Sequence, residues 1–142
     1  FDPKQVRLAG DTVKVRGHLT FEAGKPGQVR VHADYSFVYP LVHTEADGDS
    51  RVARTIVRRE LTMTLADPAK WIATKGKLSL AENDAEFYNF ECGVHDGYIH
   101  TVFPGDAPTG APATGAEADP YDRSGTLPDD NDPDECGTVT RT

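Results

Sequence analysis

Val13-Lys14-Val15-Arg16-Gly17-His18-Leu19-Thr20-Phe21-Glu22-Ala23-Gly24-Lys25-Pro26-Gly27-Gln28-Val29-Arg30-Val31-His32-Ala33-Asp34-Tyr35-Ser36-Phe37-Val38-Tyr39 is the stretch whose reading decides the fold. Val13, Val15, Leu19 and Phe21 hold odd positions, with Lys14, Arg16, His18, Thr20 and Glu22 between them. Val29, Val31, Ala33, Tyr35, Phe37 and Tyr39 keep that phase against Arg30, His32, Asp34 and Ser36. A period of two is the mark of strands with one polar and one dry face. Between the runs, Pro26 suits position i+1 and Gly27 position i+2 of a type II turn, where a positive φ is needed. The stretch therefore predicts a β-hairpin.

Two registers fit it. With Phe21 opposite Val29, Arg16 faces Asp34 and His18 faces His32. With Phe21 opposite Val31, Glu22 faces Arg30, His18 faces Asp34, and Tyr35 covers Gly17. A shift of two residues preserves side-chain facing, so both keep the apolar face intact.

Working outward, Val6 and Leu8 suggest a short edge strand before the hairpin. Pro40, which removes a ladder donor, suggests an edge, a bulge or a strand end after it. Residues 43–51 read as a polar loop, and residues 52–65 as the third long strand. There Val52 and Ile56 share one phase, whereas Val57, Leu61, Met63 and Leu65 share the other. Either a bulge near Ile56 joins the phases, or one end of the strand is buried on both sides. Asp67-Pro68 is a helix start signal for one or two turns through Trp71, ended by Gly76, with Trp71 and Ile72 plugging an end of the core. Residues 77–81 suggest a further short strand, and Glu82-Asn83-Asp84 a turn. Asp96-Gly97, between Phe87, Tyr88, Phe90 and Tyr98, Ile99, Val102, Phe103, signals another hairpin.

The fold class expected is mainly β: a curved antiparallel sheet, barrel-like or sandwich. No long helical stripe interrupts residues 1–103, and such a sheet must bury its aromatic face against something. The alternative is an α+β arrangement whose covering helix lies upstream of Phe1. Two parts are expected, a β-rich domain over 1–104 and an acidic, Pro/Gly-rich tail over 105–142.

Charge supports that division. The chain has 142 residues and a formal charge of -8. From Asp106 onward nine acids stand against Arg123 and Arg141, while residues 1–105 carry fourteen acids and thirteen bases. An acidic tail argues against nucleic acid or an anionic membrane as partner. No apolar run approaches the roughly 20 residues of a membrane span. The chain starts at Phe1 rather than Met, as expected for a mature product or an excised piece. Cys136 sits in an acidic segment where a buried thiol is hard to place, so a bond to Cys92 is expected. That bond would tie the tail back and imply an oxidising, extracytoplasmic compartment.

Sites of chemistry are scarce. His18 and His32 meet on the polar face in only one register, and a third ligand from His95 or His100 is not placed by sequence, so no structural zinc site is expected. Asp130, Asp132 and Asp134 have the spacing of the first ligands of a calcium loop. Glu135 stands where that loop needs glycine, and Arg141 where it needs a bidentate acid. Arg58-Arg59 is a poor anion site because strand neighbours point to opposite faces. The chain has no nucleophile elbow, Gly-rich phosphate loop or His-Glu-x-x-His helix. A carboxylate pair such as Asp34 with Glu60 needs a proximity that only folding supplies. Neither a metal nor a cofactor is expected.

The long strands His32–Leu41 and Arg54–Leu65, followed by the Cys92 hairpin, resemble extracytoplasmic actinobacterial domains of uncharacterised role. Some of these look like the cystatin/NTF2-like curved-sheet class. The resemblance covers roughly residues 10–104 without a diagnostic motif, and the chain lacks the long N-terminal helix that such a sheet wraps. The function expected is that of a non-catalytic extracytoplasmic domain contacting protein or cell envelope. The rival is a small-ligand or enzymatic domain with a pocket in the curved sheet, lined by Tyr35, Phe37, Tyr39, Trp71 and Phe90.

Overall fold

The computed structural model describes residues 1–45, 51–91, 93–107 and 119–127. It contains five strands: β1 (Val6–Leu8), β2 (Lys14–Ala23), β3 (Gln28–His43), β4 (Ala53–Ala66) and β5 (Leu78–Tyr88). All pair antiparallel in one sheet. β2 and β1 lie end to end along one side of β3, and β4 and then β5 follow on the other. The fold is mainly β, and the sheet stays open rather than closing into a barrel.

The β2–β3 hairpin adopts the second register, with Phe21 opposite Val31, Glu22 opposite Arg30, His18 opposite Asp34 and Gly17 opposite Tyr35. Its turn closes through Gln28 N–H donating to Lys25 O at 2.8 Å, with Gly27 at φ 85°. That is the geometry Pro26 and Gly27 favour in a type II turn. Pro40 does not end β3. It lies opposite the gap where β2 has finished at Val38 and β1 begins at Leu41, so its missing donor falls where β3 changes partner.

Four local expectations need correction. First, β4 carries no bulge near Ile56, because its register with β3 runs unbroken from Ala66 to Ala53. Ile56 and Val57 point to opposite faces and are both buried, so the double-sided burial is what occurs, while Val52 is exposed. Second, residues 82–84 are not a turn. β5 runs through them, and the register shifts between Thr62–Glu82 and Met63–Leu80, leaving Ala81 as an extra residue. That bulge switches phase, so Leu78 and Leu80 share a face with Ala85 and Phe87 despite opposite parity.

Third, Asp67-Pro68 opens a capped turn and no helix. Asp67 O accepts from Lys70 and Trp71 N–H, and its side chain accepts from Ala69 N–H, after which the chain leaves the helical path. Fourth, Trp71 and Ile72 plug no core. Ile72 is fully exposed, and Trp71 donates its indole N–H to Pro26 O with Lys25 Nζ over its ring. The 85–103 segment reverses with a single bridge, Phe90 to Thr101, instead of a second long strand.

The tight core sits at the β1 end. Val6, Leu41, Ala53 and Phe103 are buried together, flanked by Phe1, Leu8 and Tyr39. Thr55, fully buried, shares a hydrogen bond with Thr101 Oγ1 at 2.7 Å and donates to Asn89 O. Both partners keep its hydroxyl satisfied away from water. Among the described residues, no such cluster forms at the other end of the sheet.

Candidate functional site

Alternation sorts the sheet into two surfaces, and each has its own chemistry. On the polar surface, cross-strand rows read His18–Asp34–Glu60–Asp84 and Thr20–His32–Thr62–Glu82. Like charges directly opposite on neighbouring strands repel, so Asp34 beside Glu60 needs compensation. Arg58 supplies it. Its side chain is only 6% exposed, and it reaches both oxygens of Asp34 at 3.3 Å and Glu60 Oε1 at 2.6 Å. The same guanidinium donates to the carbonyls of Asp122 and Gly125, while Glu60 Oε1 accepts from Leu127 N–H. Residues 119–127 are thereby laid onto the polar surface. Asp122 is held below its usual range, first by the backbone N–H of Ser124, then by the Ser124 side chain.

A groove of about 610 Å³ opens beside this network, lined by His18, His32, Asp34, Glu60, Glu82 and Asp84 with threonines and Leu127. Much of its polar lining is already engaged. Asp34 and Glu60 are bound to Arg58, and His32 stands 3.4 Å from Glu22 and 3.3 Å from Thr62 Oγ1. Nearby, Tyr88 donates to Glu86 at 2.5 Å, and burial, then that bond, pushes its phenol well above the usual value. Among the described residues, no three His, Cys, Asp or Glu side chains gather to hold a metal ion. His18 and His32 are diagonal rather than opposite. His100 instead pairs with Asp96, whose carboxyl that bond, followed by Tyr98 N–H, holds below its usual range.

The other surface is apolar over five consecutive rows. They run Ala23–Val29–Leu65–Leu78, Phe21–Val31–Met63–Leu80, Leu19–Ala33–Leu61–Asn83, Gly17–Tyr35–Arg59–Ala85 and Val15–Phe37–Val57–Phe87. Its one charged group, Arg59, donates to its one amide, Asn83, at 3.0 Å. The hairpin was expected to present a dry face here. Instead β2 is exposed throughout, Phe21 at 77%, and Leu80 across the sheet at 60%. No described strand lies over these rows: Ala33 and Val57 in the central strands are buried and Phe90 packs against Phe87, but the apolar side chains of β2 and of the Leu78–Leu80 end of β5 stay exposed.

The five aromatics expected to line a pocket do not converge. Tyr35, Phe37 and Tyr39 form a ladder along β3 with centroids 6.3 and 6.4 Å apart. Phe90 stacks edge-on with Phe87, and Trp71 stands at the hairpin turn. None of the five lines the groove, which is on the opposite face. Arg58 and Arg59 do point apart, toward Asp34 and Asn83 respectively. Sequence alone gives Arg58 no partner beyond its poor fit to an anion site. Its shared phase with Glu60, two residues on, was the available signal of its role. Cys92, Cys136, Asp130, Asp132 and Asp134 lie outside the described residues.

No described helix is long and apolar enough to cross a membrane. Comparisons of the chain with protein-family models, with curated proteins and with solved structures give no match.

Proposed function

We propose that this chain is a non-catalytic, extracytoplasmic protein-interaction domain that docks a partner protein on the open apolar face of its sheet. The observation that carries the reading is that face itself: five rows across four strands, with Phe21, Leu19, Val15, Leu78 and Leu80 half or more exposed. Apolar patches of several hundred Å² mark interaction surfaces, because leaving them in water forfeits roughly 25 cal/mol per Å². The opposite face supports the same reading. Two of its carboxylates, Asp34 and Glu60, are held by an internal arginine that fastens the chain to itself, an arrangement that serves structure. The extracytoplasmic assignment rests on the expected pairing of Cys92 with Cys136.

A photo-crosslinking side chain tests the docking face directly. Placed at Leu19 or Leu80 in the full chain, in its native cells, it should form covalent adducts with protein. Placed at Glu82 on the other face, it should form far fewer. Adducts from Glu82 with none from Leu19 or Leu80 would overturn the proposal.

A further inference from the structure

The open face has a geometry that selects its own occupant. A sheet with one apolar surface needs a second layer. The remaining segments of this chain, 46–50, 108–118 and 128–142, contain Val139 as their only large aliphatic or aromatic residue, so their composition provides no such layer. Building on the docking role proposed above, we infer that the second layer is another copy of this chain. The two sheets pack face to face about a two-fold axis that runs parallel to the strands, between β3 and β4.

Such an axis lays β3 of one copy over β4 of the other, and β2 over β5, while each row stays over its own counterpart. The sequence suits this stacking. Ala33 then meets Leu61 of the second copy, Val31 meets Met63, and the projecting Phe21 meets Leu80. A smaller side chain opposes a larger one at both central rows, as interdigitating layers about 10 Å apart require. The twist of each sheet turns the layers by about 30°, so the match is best at the centre of the crossing, in the middle row where Ala33 and Leu61 lie.

Area agrees with that choice. Arg59, bonded within its own copy to the neutral amide of Asn83, is the one charge that closure buries, and packing must offset its cost. It also falls over Tyr35 of the second copy, where a guanidinium stacks favourably on an aromatic ring. Four strands at about 4.8 Å and nine residues at about 3.3 Å give roughly 550 Å² of face. Two copies therefore bury about 1,100 Å² before side-chain relief is counted, above the roughly 1,000 Å² that a specific interface needs. The carboxylate-rich surfaces remain on the outside of the pair.

Sedimentation equilibrium of the purified full chain, with its cysteines kept oxidised, tests the inference. At up to about 100 µM, where an interface with a Kd near 1 µM is saturated, the mass should be twice 15.4 kDa. Phe21→Glu or Leu80→Arg alone should return the monomer mass. Both positions are exposed in the single copy, so circular dichroism should be unchanged. The doubly substituted chain, Phe21→Glu with Leu80→Arg, places opposite charges over each other twice and should recover the dimer at least in part. A wild-type monomer throughout the range would overturn the second-copy assignment, as would a dimer that ignores both single substitutions. A monomer whose Leu80 crosslinks in cells to a different protein would overturn this inference and leave the docking role standing. Absence of any Leu19 or Leu80 adduct would remove both.

Discussion

Arg58 shows how one side chain can join three parts of a chain. It compensates Asp34 and Glu60 on adjacent strands and fastens residues 119–127 through two carbonyls. Arg58→Ala leaves two partly buried carboxylates facing each other. We expect a loss of about 3 kcal/mol, the low end for a broken buried pair because both carboxylates retain some water. Urea unfolding measures this, and a change under about 1 kcal/mol would sink the account. Arg58→Lys keeps the charge without the fork, so it should recover only part of the loss. Tyr88 makes a second residue-scale prediction. Its folded pKa stands above the unfolded value of 10.0, so the folded state holds the phenolic proton more tightly. The stability this gives is complete below pH 10 and is lost as pH rises through the folded value. Spectrophotometric titration should show one of the five tyrosines ionising after the others, and Tyr88→Phe should abolish that late step.

At the scale of elements, the β2–β3 hairpin was legible almost to the residue, because its period and its Pro-Gly turn both act locally. What sequence left open was register, and Gly17 shows the reason for the outcome. A Cβ built there would lie 2.2 Å from Asp34 O and 2.4 Å from the ring of Tyr35. The second register seats Tyr35 against the only residue that leaves it room. Gly17→Ala should therefore cost roughly 1–3 kcal/mol as overpacking against backbone. Thermal unfolding would show it, and an unchanged midpoint would mean the strands separate freely there. β5 was misread for an equally local reason. A bulge at Ala81 mimics a strand end, since alternation breaks at either. Asp67-Pro68 carried a true cap signal, yet no apolar stripe follows to hold a helix against the sheet.

For the whole molecule, stability is concentrated at the β1 end, around Val6, Leu41, Ala53 and Phe103. The β2–β5 end depends on what covers the apolar face. Hydrogen exchange should accordingly be slowest in the Leu41–Ala53 part of the β3–β4 ladder and fastest along β2. Uniform protection of β2 in the monomeric Phe21→Glu chain would contradict this. Metal should leave the fold unchanged, because the Asp130–Asp134 run has Glu135 where a calcium loop needs glycine and Arg141 where it needs a bidentate acid. Chelator should shift the unfolding midpoint by less than about 5 °C, corresponding to roughly 1 kcal/mol for a domain of this size. A larger fall would point to an ion bound at Asp130, Asp132 and Asp134 or at His18 and His32.

By itself the sequence determined what is encoded in short-range pattern: β structure from alternation, the type II turn from Pro26-Gly27, and the two-sided character of β2 and β3. Those features depend on residues a few positions apart, so nothing distant can revise them. Tertiary structure alone decided which residues meet. It chose Phe21–Val31 over Phe21–Val29, brought Arg58 to Asp34, and set Phe21, Val31, Met63 and Leu80 in one row. It also decided that no described segment covers the hairpin's apolar face, because a side chain's direction is fixed by its own strand but its burial depends on what packs above it.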